Sequence, residues 1–248
     1  MTTIAGSRAW IIGASSGIGA ALADEMHRRG AQVAISARRA DALAQVSAGR
    51  MLEVPLDIAD MQAVVDAARA VRAAMGELDI VVIAAGYWKR MEAAGFDVEE
   101  FQRHIDANVM GMAHCIAAVL PEMSARGSGS IVGISSVAGY RGMPGSQGYG
   151  ASKAAQLNLL ESLRCGMHGT GVHIQTVAPG FVETPMTATN TFPMPFLVSA
   201  ERAATAIADG IEHETPEIVF PLPMAIAMKT ARLVPQRWWP RLFGNRAA

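Results

Sequence analysis

Short β-branched runs alternate with longer helical patterns along the whole chain, and this limits the fold more than any other feature. The strand-like runs lie at 9–12, 33–36, 52–54, 80–83, 130–134, 172–177 and 217–220. Helical spacing covers 18–29, 61–75, 98–123, 148–168 and 200–212. The strand runs are almost continuously apolar, as strands are when helices cover both faces of a parallel sheet. The sequence therefore predicts an α/β fold, a doubly wound parallel sheet of about seven strands with helices on both faces. With 248 residues and 51% apolar side chains, one domain over 1–248 is expected. One stretch lacks periodicity. Residues 181–199 are rich in Thr, Pro, Phe and Met, and an irregular segment of that length is expected to be a substrate lid.

Several function classes are set aside by composition. The net charge is −1, which gives no electrostatic basis for nucleic-acid binding. Cys115 and Cys165 form no Cys-x-x-Cys pair, and the six histidines show no zinc-ligand spacing, so no metal is expected. The start, Met1-Thr2-Thr3, lacks the basic and apolar regions of a signal peptide. The apolar run 218–228 is shorter than the ~20 residues a membrane span needs. A cytoplasmic protein is expected. Charged residues make up 17%, below the usual ~25%, as when an oligomer interface takes up surface.

A glycine-rich turn, Gly13-Ala14-Ser15-Ser16-Gly17-Ile18-Gly19, joins the first strand to the first helix. Glycines permit a tight turn and close backbone approach, and the helix start offers free N–H groups to a phosphate. The same residues match the Gly-x-Ser-x-Gly elbow of hydrolases, but no histidine follows a late strand in a suitable loop.

Tyr149 and Lys153 are four apart on a helix and share a face. An ammonium near a phenol stabilises the phenolate, which suits acid–base work on an alcohol or carbonyl. Ser136 follows a strand, where its hydroxyl can meet a substrate oxygen. Asn108 lies in the long helix, where its amide is expected to hold a water that relays protons to Lys153. Taken alone, Tyr149 and Lys153 read first as a solvated helix face.

Together these residues resemble the classical short-chain dehydrogenase/reductase family over nearly the whole chain. The resemblance implies a Rossmann-type fold and an oxidoreductase. It implies nucleotide contacts from Gly13, Ser15, Ser16, Gly17, Ile18 and Gly19, and adenine contacts from Asp57 and Ile58. Ala85 and Gly86 would follow at the end of the fourth strand. Asn108, Ser136, Tyr149 and Lys153 look like the catalytic tetrad, with Tyr149 and Lys153 also touching the cofactor. Pro179, Gly180, Val182 and Thr184 resemble the motif that seats the nicotinamide end. Two positions depart from the family pattern: Ile12 stands where Thr is frequent, and Ile83-Ala84-Ala85-Gly86 replaces Asn-Asn-Ala-Gly. The resemblance also implies a homodimer or homotetramer, built by the helices at 98–123 and 148–168 and by the last strand. The alternative is a non-catalytic dinucleotide-binding sensor or scaffold.

After the second strand the chain reads Ser36-Ala37-Arg38-Arg39. Ala37 cannot accept from a ribose 2′-hydroxyl, whereas Arg38 suits a 2′-phosphate. NADP(H) is expected to be preferred, with NAD(H) possible. Tyr87, Trp88, Met143, Met186, Phe192, Met194, Phe196 and Leu197 are expected to form an apolar wall for a hydrophobic ketone, aldehyde or secondary alcohol. In the tail, 221–248, Lys229, Arg232, Arg237, Arg241 and Arg246 alternate with apolar residues, with no acidic side chain. Such a stretch suits a subunit interface, a pocket cover or peripheral contact with an anionic membrane.

Overall fold

The computed structural model describes residues 2–243, so residues 244–248 of the tail, Arg246 among them, lie outside the described residues. Among the described residues, seven parallel strands form one sheet in the order β3-β2-β1-β4-β5-β6-β7. The strands are β1 (Arg8–Ile12), β2 (Gln32–Ser36), β3 (Leu52–Glu53), β4 (Ile80–Ile83), β5 (Gly129–Ile134), β6 (Val172–Pro179) and β7 (Glu217–Phe220). The helices are α1 (Gly17–Arg28), α2 (Ala40–Ser47), α3 (Met61–Met75), α4 (Val98–His104), α5 (Gly111–Arg126), α6 (Gln147–Gly166), α7 (Ala200–Glu212), α8 (Leu222–Ala231) and α9 (Trp239–Phe243). The expected doubly wound sheet is the observed one.

Successive strand residues point to opposite faces. Ile11, Val33, Ile35 and Val177 pack under α1 and α7 with Leu22, Met26, Ile207 and Ile211. Trp10, Ile12, Val81 and Ile131 pack on the other face with Val64, Val71, Val119 and Leu160, from α3, α5 and α6. Strand order reverses at β1, which pairs with β2 on one side and β4 on the other. Connections leave the two sides of this point in opposite directions and open a crevice at the carboxyl ends of the strands.

Three local features differ from the sequence expectation. The stretch expected as one helix over 98–123 is α4, a π-helical turn at Ile105–Met110, and α5. The π-helical turn changes the bonding from i→i+4 to i→i+5 over only six residues, a local change that helical spacing across the whole stretch does not reveal. Helix α2 was not expected: it is eight residues long, and only Ala42, Leu43 and Ser47 are buried. The tail contains α8 and α9, which are short and rich in exposed side chains. No helix of the described residues is long and apolar enough to cross a membrane.

Polar ties hold the layers in place. Arg29 at the end of α1 pairs with Glu25 at 2.8 Å and with Asp209 and Glu212 of α7 at 2.6 Å each. Glu217 of β7 accepts from Tyr140 at 2.5 Å and from Lys229 of α8 at 2.6 Å. Trp239 Nε1 donates to the Gly142 carbonyl at 2.6 Å, and Arg141 donates to the Val234 carbonyl at 2.9 Å. Trp10 Nε1 donates to Ser36 Oγ at 2.9 Å, with both residues fully buried. This bond fixes the end of β2, where the Ala37-Arg38 segment begins.

Trp10→Phe is expected to lower stability by about 2–4 kcal/mol, from a cavity plus an orphaned hydroxyl. Adding Ser36→Ala is expected to restore about 1 kcal/mol of that loss, as read from urea unfolding midpoints.

Candidate active site

The crevice holds a cavity of about 910 Å³ at the carboxyl ends of β1, β2, β4, β5 and β6. One end is built on the β1–α1 turn. Gly13 and Gly17 have φ of +94° and +58°, where side chains other than glycine are strained. A Cβ on Gly13 would lie 2.3 Å from the amide nitrogen of Ala85, and one on Gly19 would lie 2.3 Å from the Gly13 carbonyl oxygen. The Ser36 carbonyl accepts from the N–H groups of Gly13 and Ala14, and the Ile12 carbonyl accepts from Ala84 at 2.7 Å. The first turn of α1 then presents backbone N–H groups, and its N-cap residue Ser16 makes no side-chain capping bond. Such a helix start suits a pyrophosphate.

The departures from the family pattern are resolved by packing. Ile12 and Ile83 are buried in the apolar layer beneath α3 and α5. Ala84 reaches β1 through its backbone, so no asparagine side chain is needed for that contact.

Every nucleotide-contact residue expected from the sequence lines the cavity: Gly13, Ser15, Ser16, Gly17, Ile18, Gly19, Arg38, Asp57, Ile58, Ala85, Gly86, Tyr149, Lys153, Pro179, Gly180, Val182 and Thr184. Arg38 and Arg39 are both exposed on the wall, with no acidic partner among the described residues. Asp57 accepts from the Ala59 N–H at 3.0 Å. The glycine cradle, the open helix start and the free guanidinium together fit a phosphorylated dinucleotide.

At the other end Ser136, Tyr149 and Lys153 share the wall. Ser136 caps the 3₁₀ turn Val137–Gly139, accepting from Ala138 N–H at 3.1 Å; its hydroxyl donates to the Pro179 carbonyl at 3.5 Å and lies near enough to the Tyr149 phenol to favour its ionised form. Lys153 Nζ lies 5.5 Å from the Tyr149 ring centre. It donates to the Ile134 carbonyl at 3.0 Å and to Gln156 Oε1 at 2.9 Å. Burial pushes Tyr149 up to about 12, against the Ser136 hydroxyl, which pulls it down. Burial alone brings Lys153 down to about 7. At neutral pH the site therefore holds a phenol that can give a proton and a lysine poised to change charge.

Asn108 is displaced from its expected place. It is fully buried and does not line the cavity. Its Oδ1 accepts from the Tyr87 N–H at 2.7 Å, and its Nδ2 donates to the Tyr87 carbonyl at 3.0 Å and to Ser152 Oγ at 2.8 Å. Both amide hydrogens are used, so the side chain braces the segment after β4 instead of serving Lys153 through a water. Its backbone carbonyl makes that link, through Gln156 Nε2 at 2.5 Å. Gln156 was missed, although an amide three residues after Lys153 shares its helix face, which was a readable signal.

The expected apolar wall is only partly present. Tyr87 and Met186 line the cavity, but Met143, Phe192, Met194, Phe196 and Leu197 do not. Phe192 packs on Phe181 instead, with ring centres 6.0 Å apart, and Phe196 and Leu197 are exposed. Trp88 stands edge-on to Tyr149 at 5.1 Å, and its Nε1 donates to Asn190 at 3.1 Å. Arg103 and Asp106 add charged groups to the wall that the sequence did not flag.

The depressed Lys153 affinity for protons sets a pH dependence. Above its ordinary value of 10.5 the lysine is neutral in both folded and unfolded states. Between 10.5 and about 7 the unfolded chain holds a proton that the folded chain lacks, so stability falls as pH falls and levels off below about 7. Wild type is therefore expected to gain stability relative to Lys153→Met as pH rises from 7 to 10, as measured by denaturant midpoints. A constant difference would contradict it.

Residues 7–193 match the family described as short chain dehydrogenase. An uncharacterized oxidoreductase of Myxococcus xanthus is 40% identical over 233 residues, covering 92% of each chain. A short-chain dehydrogenase from Streptomyces avermitilis is 25% identical with a TM-score of 0.80, covering 94% of this chain and 96% of that one. A short chain dehydrogenase from Burkholderia cenocepacia, solved with NADP, matches in fold at 24% identity, with a TM-score of 0.85 and coverage of 97% and 98%. With the family match over residues 7–193 and the Myxococcus xanthus relative covering 92% of the chain, and with the Ser136, Tyr149 and Lys153 wall facing a glycine cradle, the chain belongs to the short chain dehydrogenase family and is an oxidoreductase.

Proposed function

We propose that this oxidoreductase prefers NADP(H), can use NAD(H), and interconverts hydrophobic ketones or aldehydes with alcohols. The observation that carries the reading is one cavity with two ends: the glycine turn and Arg38 at one, Ser136, Tyr149 and Lys153 at the other. The bound cofactor supplies or accepts a hydride at its nicotinamide ring. All other chemistry falls to the chain. In reduction the carbonyl carbon gains the hydride and its oxygen gains the Tyr149 proton. Ser136 donates to the same oxygen while charge develops there. Lys153 offsets the charge left on Tyr149, which regains its proton from solvent through the cavity. Oxidation runs the same steps in reverse, so its rate rises with pH as Tyr149 loses its proton.

Arg38 carries the cofactor preference, because it is exposed on the cavity wall without a competing carboxylate. Trp88 supports an apolar substrate, since it flanks Tyr149 and ties to Asn190 within 181–199, the proposed lid. The sensor or scaffold reading gains nothing from Ile83 and Ala84, whose places are filled by core packing and a backbone bond. Exposed Leu222, Ile226, Leu233, Trp238 and Leu242 support a tail surface covered by a second copy, in a homodimer or homotetramer. A monomer in sedimentation velocity would overturn the oligomer and leave a pocket cover or peripheral membrane contact as the readings for the tail.

Tyr149→Phe is expected to cut turnover by at least about 100-fold while leaving nucleotide binding intact by tryptophan fluorescence. Arg38→Ala is expected to weaken NADPH binding by about 10–100-fold, the scale of a charge-assisted hydrogen bond, and to leave NADH binding unchanged. Equal losses for both nucleotides would remove Arg38 from the 2′-phosphate.

A further inference from the structure

Gln156 is fully buried on α6, one turn beyond Lys153. Its Oε1 accepts from Lys153 Nζ at 2.9 Å, and its Nε2 donates to the Asn108 carbonyl of the π-helical turn at 2.5 Å. An ammonium has three donors. The Ile134 carbonyl and Gln156 take two of them, which leaves one for the cavity that Lys153 lines.

Charge matters here as much as geometry. The groups packed around Lys153 come from the end of β5, the π-helical turn, the 3₁₀ turn and the 83–86 segment. Asp106 of the π-helical turn and Arg103 of α4 line the same cavity, but neither is paired with Lys153, and burial is the one cause of its depressed proton affinity. Tyr149, on its own helix, is the titratable group beside it. Gln156 thus supplies an acceptor for the ammonium without supplying a negative charge. A glutamate of the same shape would cancel the field that Lys153 exerts on Tyr149 and would lose the donor to Asn108.

We propose that Gln156 is a positioning residue for proton transfer, clamping Lys153 between β5 and the π-helical turn so that its remaining donor and its uncancelled charge face the cavity at Tyr149. The proposal rests on the oxidoreductase reading of the Ser136, Tyr149 and Lys153 wall.

The chain has three lysines, Lys89, Lys153 and Lys229, so side-chain ¹³C labelling of lysine gives a readable NMR titration, assigned with Lys153→Met. In full-length protein, Gln156→Glu is expected to raise the Lys153 titration by about one unit or more, because a carboxylate favours the charged form. Gln156→Leu is expected to lower it, because the charged form loses a hydrogen bond. The pH profile of kcat should move in the same two opposite directions, and Gln156→Leu should reduce kcat about tenfold. Titrations that stay put in both folded variants would overturn the clamp. Titrations that move while the kcat profiles stay put would overturn its role in proton transfer. Wild type that binds neither NADPH nor NADH would overturn the underlying reading, an outcome separable from both because it needs no variant.

Discussion

The close passage of the Gly13 backbone against Ala84 and Ala85 is the constraint on which the site depends. It occurs where strand order reverses, and the distance leaves no room for a Cβ. Because β1 and β4 are locked there through backbone bonds, two segments start from a shared origin. One leads through the glycine turn into α1, and the other leads through Gly86 toward Tyr87 and Trp88. The glycine-turn end and the Tyr149 end of the cavity are therefore positioned by the same few ångströms of main chain. Side-chain changes at Ile83 and Ala84 are tolerated for that reason.

The second organising element is α6. Tyr149, Ser152, Lys153 and Gln156 fall on one face, and they meet three parts of the fold: Tyr149 the cavity, Lys153 the end of β5, and Ser152 and Gln156 the side chain and carbonyl of Asn108 in the π-helical turn. Helical periodicity alone makes this possible. The lysine sits in low dielectric without a counter-ion, which is costly for its charged form and useful for its chemistry.

The strand alternation was legible because parallel strands are buried on both faces and leave unbroken apolar runs. The glycine turn and the Tyr149–Lys153 pair were legible because their spacing is local. What was not legible depends on long-range placement. The π-helical turn occupies only six residues inside 98–123, too short a change in bonding for the spacing of the whole stretch to show. Asn108 was read as serving Lys153 with its amide, but Tyr87 and Ser152, 21 and 44 residues away, claim that amide first. Phe192, Phe196 and Leu197 were read as a pocket wall from composition, yet nothing in composition says which face of an irregular segment turns inward.

Glu217 takes hydrogen bonds from Tyr140, just ahead of α6, and from Lys229 in the tail. Trp239 holds Gly142 from the same side. Helices α8 and α9 are thereby mechanically joined to the approach to Tyr149. Strain applied to α9 would be transmitted to the mouth of the cavity, whereas strain applied at Thr2 would act beside β1, at the opposite end of the strands.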